Sequence, residues 1–176
     1  MDFFSILLNE THRVQGRLCL EPIYLKLLFL IVVANLAPII GQRLLRNRFA
    51  APLDCGSHFL DGRPLLGPSK TWRGYLFSIL ITGACAWVEG LDVATGLVFS
   101  FAALLGDTVT SFIKRRLGLV SGGHAPGLDQ VLESLVPLLV VQHRFDLALS
   151  GILGVVIAFI ILNLIFWRYY ARPDYS

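Results

Sequence analysis

The stretch VATGLVFSFAALLGDTVTSFI, residues 93–113, is an apolar run long enough to cross a membrane, and it carries one acid, Asp107, near its end. A spanning helix needs about 20 mostly apolar residues. Four further windows approach or meet this length: residues 22–41, 74–90, 128–141 and 147–167. The window at 128–141 is short and contains Pro137. Together the windows predict an all-α, polytopic integral membrane protein with about five transmembrane helices.

The composition supports this class. Hydrophobic residues make up 55% of the 176 residues, charged residues make up 15%, and the mean hydropathy is +0.68. One soluble core of this size cannot hide so much apolar side chain. No repeat or long linker divides the chain, which predicts a single domain over residues 1–176: a surface segment 1–21, a transmembrane core 22–167 and a tail 168–176. Residues 1–21 do not resemble a signal peptide, because their apolar run is too short.

The basic residues predict the orientation. With five spans, eleven of the fifteen Lys and Arg residues fall on one side, in the connector 42–73, after residue 113 and in the tail. The positive-inside rule then places these connectors and the C-terminus in the cytoplasm and the N-terminus outside the cell membrane. The basic connectors, which are the candidates for catalytic loops, are therefore expected to be cytoplasmic. A net charge of +3 distributed in this way suits anionic lipid headgroups and nucleotide phosphates, and predicts no nucleic-acid partner.

Cysteine chemistry contributes little to the interpretation. The three cysteines, Cys19, Cys55 and Cys85, lie in different segments without a CxxC spacing, which indicates neither a zinc site nor a disulfide framework. Asp54 and His58 lie in the first connector without a recognisable partner. Three acids lie in the turns on the side of the membrane opposite the basic connectors, and they are expected to be solvated: Glu89, Asp92 and Asp146.

The first polar motif is DGRPLLGPSKTWRG, residues 61–74. Its three glycines and two prolines prevent a continuous helix, and we expect backbone N–H groups freed in this way to face a ligand. Lys70, Thr71 and Arg73 then gather at a helix start, a combination that binds phosphate. Alternatively, Lys70 and Arg73 only obey the positive-inside rule while Trp72 anchors the interface.

The second polar motif runs from Asp107 to Glu133. Asp107, Ser111 and Lys114 have the i, i+4, i+7 spacing that places them on one helical face. Asp129 and Glu133, at i and i+4, share a face of the next helix, so carboxylates from two helices are expected to converge on one divalent cation.

Two ordinary explanations stand beside that hypothesis. Asp129 at a helix start is also typical of an N-cap, and Asp107 would then pair with Arg115 or Lys114. A single loop histidine such as His124 is more often a solvated donor than a ligand.

Four ordered motifs resemble those of the CDP-archaeol synthase family: DGRPLLG at 61–67, KTWRG at 70–74, GDTVTSFIKRRLG at 106–118 and PGLDQ at 126–130. They are similar, more distantly, to the motifs of phosphatidate cytidylyltransferases. The resemblance implies an integral membrane enzyme that joins CTP to a phospholipid acid in the bilayer. The products would be a CDP-lipid and pyrophosphate, with Mg²⁺ as cofactor.

The resemblance also implies roles for individual residues. Metal would be held by Asp107 and Asp129, with Glu133. Phosphates would be bound by the cations Lys70, Arg73, Lys114, Arg115 and Arg116. The substrate-binding set would add Thr71, Ser111, His124 and Gln130.

The chain departs from the family pattern in two places. Leu132 stands where the family has its second acid, so Glu133 would have to substitute from a position rotated by about 100°. The C-terminal sequence RYYARPDYS is also unlike the ending associated with archaeal members, which leaves open an acceptor other than an archaeal lipid, such as phosphatidate giving CDP-diacylglycerol.

Functions of other classes explain less of the sequence. A transporter should show broken helices or internal repeats, and neither is visible. A non-catalytic lipid-binding protein would explain the basic connectors but not Asp107 together with Asp129. The clustered aspartates of a CDP-alcohol phosphotransferase are missing. The spacing of Gly151 and Gly154 does not specify a helix pair, so a homo-oligomer stays an open alternative.

Overall fold

The computed structural model describes residues 22–46, 48–119 and 128–170. These residues form five α-helices: α1 Pro22–Leu45, α2 Trp72–Val88, α3 Val93–Arg116, α4 Leu128–Val141 and α5 Leu149–Tyr170, with a 3₁₀ turn at Gln142–Arg144. Within the described ranges there is no β-strand, only two isolated bridges in the connector. The predicted all-α class is confirmed. The predictions for residues 1–21, His124 and the last six residues of the tail lie outside the described residues.

Each predicted window corresponds to one helix, and α4 has the predicted bounds despite Pro137. Among the described residues, three helical segments are long and apolar enough to cross a membrane: Pro22–Leu45, Val93–Arg116 and Leu149–Phe166. Several long apolar helices in one chain describe a multi-pass membrane protein. The shorter α2 and α4 do not meet that criterion.

The apolar core occupies one half of the bundle. It comes from the first half of α1, the end of α2, the beginning of α3, the end of α4 and much of α5; its largest members include Leu27, Phe99, Leu138, Ile152 and Phe159. Gly151 packs here against Tyr24, because a Cβ at residue 151 would lie 2.3 Å from the Tyr24 ring. Consecutive helices run in opposite directions, so the other half of the bundle collects the end of α1, the start of α2, the end of α3 and the start of α4.

Small residues let α3 approach both of its neighbours. A Cβ at Gly96 would lie 2.9 Å from the carbonyl oxygen of Thr82 in α2, and one at Gly106 would lie 2.3 Å from the carbonyl oxygen of Leu132 in α4. Ser78 adds a polar link between helices, since its hydroxyl donates to the Ala34 carbonyl at 2.8 Å. The backbones of α2, α3 and α4 therefore pack almost in contact.

The connector between α1 and α2 is a folded element. Phe59 N–H donates to the Arg63 carbonyl at 2.9 Å and Leu65 N–H to the Ser57 carbonyl at 2.9 Å, forming a short hairpin. The Leu53 N–H donates to the Lys70 carbonyl at 2.8 Å. These bonds return the chain to the start of α2 with Lys70 in a defined place.

The glycines of the first polar motif do not present free N–H groups to a ligand. Gly62 donates to the Phe59 carbonyl, Gly67 to the Asp54 carboxylate, and Gly74 to the Thr71 hydroxyl. The prediction is therefore wrong at these three positions. The physical reason is that a tight turn uses its own donors to hold its shape.

Asp54 organises this connector, although the sequence indicated no partner for it. Its carboxylate accepts N–H bonds from Gly56 at 3.0 Å, Leu66 at 2.9 Å and Gly67 at 2.9 Å. Burial acts to raise the pKa of Asp54, but the three backbone N–H groups outweigh it and hold the pKa below its usual value of 3.8. The expectation of a residue without a partner was wrong.

The α2–α3 turn and the turn between α4 and α5 are joined by an ion pair. Asp92 caps α3 by accepting from the Ala94 N–H at 3.3 Å and pairs with Arg144 at 3.2 Å. Asp92 is therefore an exposed cap with an ion-pair partner, more than a solvated turn residue.

Candidate functional site

A polar cavity of about 570 Å³ lies in the half of the bundle opposite the apolar core. All five helices and the connector contribute to its wall. Ten of the twelve predicted site residues line it: Lys70, Thr71, Arg73, Asp107, Ser111, Lys114, Arg115, Asp129, Gln130 and Glu133. The two polar motifs, far apart in sequence, thus meet in one place.

The helical face predicted for α3 is present. Asp107, Ser111 and Lys114 all line the cavity, as the i, i+4, i+7 spacing predicts. Arg115 joins them and is buried, with a relative exposure of 5%. Asp129 and Glu133 of α4 line the cavity from the opposite wall, again as predicted.

Two lysine–carboxylate pairs cross the cavity. Lys70 of the connector pairs with Asp107 of α3, and Lys114 of α3 pairs with Asp129 of α4, Nζ to Oδ2, at 2.9 Å. The alternative hypothesis paired Asp107 with Lys114 or Arg115. It was wrong, because the partner of Asp107 is Lys70. Lys114 starts seven residues beyond Asp107, about 10 Å along the helix axis, and reaches across to α4 instead.

Asp129 lies inside the first turn of α4, after Leu128. One carboxylate oxygen, Oδ2, accepts from Lys114. The other, Oδ1, is buried and has no hydrogen-bond partner among the described residues. A buried carboxylate oxygen without a donor is unfavourable unless a cation or a ligand satisfies it.

Glu133 brings a third carboxyl group to the cavity. It interacts electrostatically with Asp107, Asp129 and Lys70. Leu132, which stands where the resemblance implies a second acid, does not line the cavity; its backbone carbonyl faces Gly106. In the described ranges no three acids, histidines or cysteines already form a metal-binding group. The carboxylate donors and the unsatisfied Oδ1 nevertheless have the chemistry that a hard divalent cation prefers.

Arg73 and Thr71 have structural contacts at the edge of the cavity. Arg73 Nη1 donates to the carbonyl oxygens of Arg46 and Arg48, the latter at 2.9 Å, which fastens the end of α1. Its Nε is buried and has no hydrogen-bond partner in the part of the chain that the structure describes. Thr71 is the N-cap of α2, accepting from the Gly74 N–H at 3.4 Å.

Arg116 lies outside the cavity. Its guanidinium binds the connector, donating to Asp61 at 2.9 Å and to the Pro64 carbonyl at 2.6 Å. This position does not support the predicted phosphate contact.

Three amides in the wall were not expected from the motifs: Asn35 and Gln42 of α1 and Asn163 of α5. Each is a polar residue in or at the end of an apolar helix. Such residues usually face the interior of a membrane bundle, and that signal in the sequence would have found them.

The fold and the site together define a helical membrane protein that gathers cations and carboxylates in one cavity. The family model described as CarS-like, CDP-archaeol synthase, matches residues 17–170. The chain belongs to the CDP-archaeol synthase family.

Curated relatives carry the same name. The CDP-archaeol synthase of Hyperthermus butylicus is 44% identical over 97 residues, covering 52% of this chain and 58% of the relative. That of Pyrobaculum arsenaticum is 33% identical over 127 residues, covering 69% of this chain and 76% of the relative. The match to the Thermofilum pendens protein also spans 58% of the relative's length.

A solved structure described as an intramembrane enzyme for archaeal membrane lipids biosynthesis is also similar. It has 30% sequence identity and a TM-score of 0.67, and the match covers 80% of this chain and 89% of that chain. The likeness therefore extends through most of the helical bundle.

Proposed function

We propose that this chain is a CTP-dependent cytidylyltransferase that makes a CDP-activated lipid and pyrophosphate from a phospholipid acid. The observation that carries the proposal is the meeting of four cationic and three acidic side chains from both motifs in one cavity of about 570 Å³. Nucleotidyl transfer depends mainly on positioning phosphates and neutralising their charge. Membership of the CDP-archaeol synthase family supports the same reaction.

The reaction needs no covalent nucleophile from the protein. A phosphate oxygen of the lipid acid attacks the α-phosphorus of CTP, the new oxygen–phosphorus bond forms, and pyrophosphate leaves with the electrons of the broken bond. Lys70, Lys114 and Arg115 lie where they would neutralise the phosphates, and Arg73 borders the same space. Each preorganised donor of this kind contributes roughly 2–4 kcal/mol to the transition state.

Hydroxyl and amide groups complete the proposed substrate contacts. Ser111 is buried at a relative exposure of 2% beside the cations and would donate to a phosphate oxygen. Thr71 and Gln130 line the cavity near the two lysine pairs and would orient the same group. Thr71 retains its capping bond, because its oxygen accepts from Gly74 while its proton is free to donate.

A divalent cation, which we propose to be Mg²⁺, would be held by Asp107, Asp129 and Glu133. When bound, it would offset phosphate charge and favour departure of pyrophosphate. Glu133 is the acid that takes the place of the family's second acid in this assignment, because it lines the cavity whereas Leu132 does not.

The proposed acceptor is an isoprenoid ether lipid acid, in keeping with the name of the family. Its chains would stay in the bilayer beside the apolar part of the cavity wall, which includes Ala34, Ile39 and Leu104. Phosphatidate, giving CDP-diacylglycerol, is the alternative acceptor.

We propose five spans in one domain of the cell membrane, with the N-terminus outside and the C-terminus in the cytoplasm. The cavity would then face the cytoplasm, where CTP is found. At 17 and 14 residues, α2 and α4 are about 26 and 21 Å long at the usual helical rise. They are shorter than a bilayer core of about 30 Å, so the long helices α1, α3 and α5 would set the thickness.

The test is to incubate purified protein with labelled CTP, Mg²⁺ and a panel of ether-linked and ester-linked phospholipid acids. A labelled CDP-lipid is expected, together with stoichiometric pyrophosphate, and the preferred acceptor identifies the lipid class. Asp107→Asn and Asp129→Asn should insert normally and lose nearly all turnover, since each removes a ligand charge. Absence of any CDP-lipid from the unaltered protein would overturn the proposal.

A further inference from the structure

Outside the cavity, the connector hairpin is held against the end of α3 by two arginines. Arg63 Nη1 donates to the backbone carbonyls of Arg115 at 3.4 Å and Arg116 at 2.6 Å. In return, Arg116 Nη2 donates to the backbone carbonyls of Arg63 at 3.4 Å and Pro64 at 2.6 Å. Each arginine thus binds the backbone that carries the other.

Further contacts fix the same two segments. The Asp61 carboxylate accepts hydrogen bonds from Arg116 Nη1 at 2.9 Å and from the backbone N–H of Arg63 at 3.1 Å. The guanidinium of Arg116 lies 4.9 Å from the ring centres of both Phe59 and Phe112. Those rings pack edge to face at 5.4 Å. We call Asp61, Arg63, Arg116, Phe59 and Phe112 the arginine clasp.

The clasp connects the two halves of the proposed site. Phe59, Asp61 and Arg63 precede Lys70 in the connector, whereas Phe112 and Arg116 flank Lys114 and Arg115 on the last turn of α3. By holding the hairpin against the helix, the clasp therefore keeps Lys70 in a fixed position relative to Lys114 and Arg115. No clasp residue lines the cavity itself.

We infer that Arg63 and Arg116 are positioning residues, which act on the proposed reaction by keeping the connector docked on α3. A planar guanidinium suits this task, because it donates along several directions to fixed carbonyl and carboxylate oxygens while it stacks on rings. Lysine keeps the charge but lacks that geometry. For its kinetic part the inference rests on the proposed function.

The variants for the test are Arg63→Gln, Arg116→Gln, the double variant and Arg116→Lys. The matched control is Arg43→Gln, which removes the same formal charge from an exposed position on the last turn of α1. Hydrogen exchange and turnover are measured on each full-length protein in the same detergent or lipid.

Faster exchange is expected in residues 57–65 of both single variants, by about tenfold or more, because the hairpin bonds of Phe59 and Leu65 lose their support. Exchange in the core of α4 and α5 should not change. This measurement needs neither CTP nor turnover, so it stands even if the unaltered protein makes no CDP-lipid.

Turnover is expected to fall by roughly ten- to a hundredfold in each single variant. The double variant should be no less active than the less active of the two single variants, because the effects of two residues that act as one unit are not additive. Arg116→Lys should fail like Arg116→Gln, and Arg43→Gln should stay within a few-fold of the unaltered protein. A raised KM for CTP with unchanged exchange at 57–65, or rescue by Arg116→Lys, would mean a direct phosphate contact and overturn the inference. Faster exchange across the whole bundle would mean global destabilisation and overturn it equally.

Discussion

Lys70 and Lys114 each pair with a carboxylate in the structure and are each proposed to bind phosphate. Each is paired with a carboxylate proposed to hold metal, Asp107 and Asp129 respectively. Both pairs are largely buried, with side-chain exposures of 18% for each member of the first pair and of 8% and 12% in the second. A divalent cation bound to these carboxylates would compete with the ammonium groups, and the phosphates of the proposed substrate CTP would offer the lysines a new anionic partner.

Lys70→Met should therefore change two affinities in opposite directions. Binding of Mn²⁺ alone, followed by electron paramagnetic resonance, is expected to tighten by about fivefold, on the scale of about 1 kcal/mol for losing one competing ion pair. Affinity for CTP should weaken by a similar factor. Arg43→Gln is the control for the loss of one positive charge. Weaker binding of both ligands in Lys70→Met would contradict this competition.

Asp54 shows how one carboxylate shapes a segment although it does not line the cavity. Its folded pKa lies below the usual value, so the stability it contributes is fully present above pH 3.8 and is lost as the pH falls through the folded pKa. Asparagine cannot replace it, because the amide offers one accepting oxygen and its NH₂ would face either the donor of Gly56 or the donors of Leu66 and Gly67.

We expect Asp54→Asn to lower stability by about 1–3 kcal/mol at neutral pH, the usual effect of a buried donor left without a partner. The difference between the variant and the unaltered protein should shrink as the pH falls below about 4. Thermal unfolding in detergent from pH 3 to pH 7 measures both effects. A difference that stays constant over that range would show that the carboxylate charge is unimportant.

At the scale of the helices, the crossing of α3 and α4 determines how the carboxylates meet. Gly106 precedes Asp107 and lies against the backbone of Leu132 and Glu133. Backbone atoms, unlike a flexible side chain, cannot move aside without moving their helix. The absence of a side chain at residue 106 therefore lets α3 and α4 approach closely enough for Asp107 and Glu133 to line one cavity.

Gly106→Ala should accordingly force α3 and α4 apart. A Cβ there would lie 2.3 Å from the Leu132 carbonyl oxygen, and overpacking of this kind costs roughly 1–3 kcal/mol or more. We expect a lower melting temperature and a loss of most turnover. Gly154→Ala on α5 is the matched control, since its Cβ would meet nothing within 4 Å; alanine there should be neutral or slightly stabilising. Equal behaviour of the two variants would contradict the close helix contact.

At the scale of the whole molecule, the alternation of helix direction separates an apolar half from a charged half. The connector and the last turn of α3 border the charged half, whereas the turn at Gln142–Arg144 and the α2–α3 turn belong to the other. With the proposed five spans, these two halves face opposite sides of the membrane.

Cysteine labelling in intact cells tests that arrangement. Cys55 is exposed in the connector and is a native reporter; Cys19 and Cys85 are replaced by serine. An impermeant maleimide should leave Cys55 unlabelled until the cells are opened. It should label Asp146→Cys from outside in a chain that also carries Cys55→Ser, because Asp146 is exposed in the opposite turn. Labelling of both positions from the same side would contradict the orientation.

Features that depend on near neighbours in the chain followed from the sequence. Apolar runs predicted the five helices, and the helical period predicted that Asp107, Ser111 and Lys114 share a face. Thr71 at a helix start and Glu133 one turn after Asp129 are further local signals. A helical turn involves only three or four residues, so such patterns are visible without knowledge of the fold.

Contacts between distant segments were decided by the tertiary structure alone. Lys70 pairs with Asp107, and Lys114 with Asp129, because packing brings the connector, α3 and α4 together. Arg116 was predicted to bind phosphate together with its neighbours Lys114 and Arg115. Its side chain instead faces away from the cavity and towards the connector. A side chain's partner depends on which backbone lies opposite it. Residue type and spacing show that a charge needs a partner, whereas only the folded chain selects one.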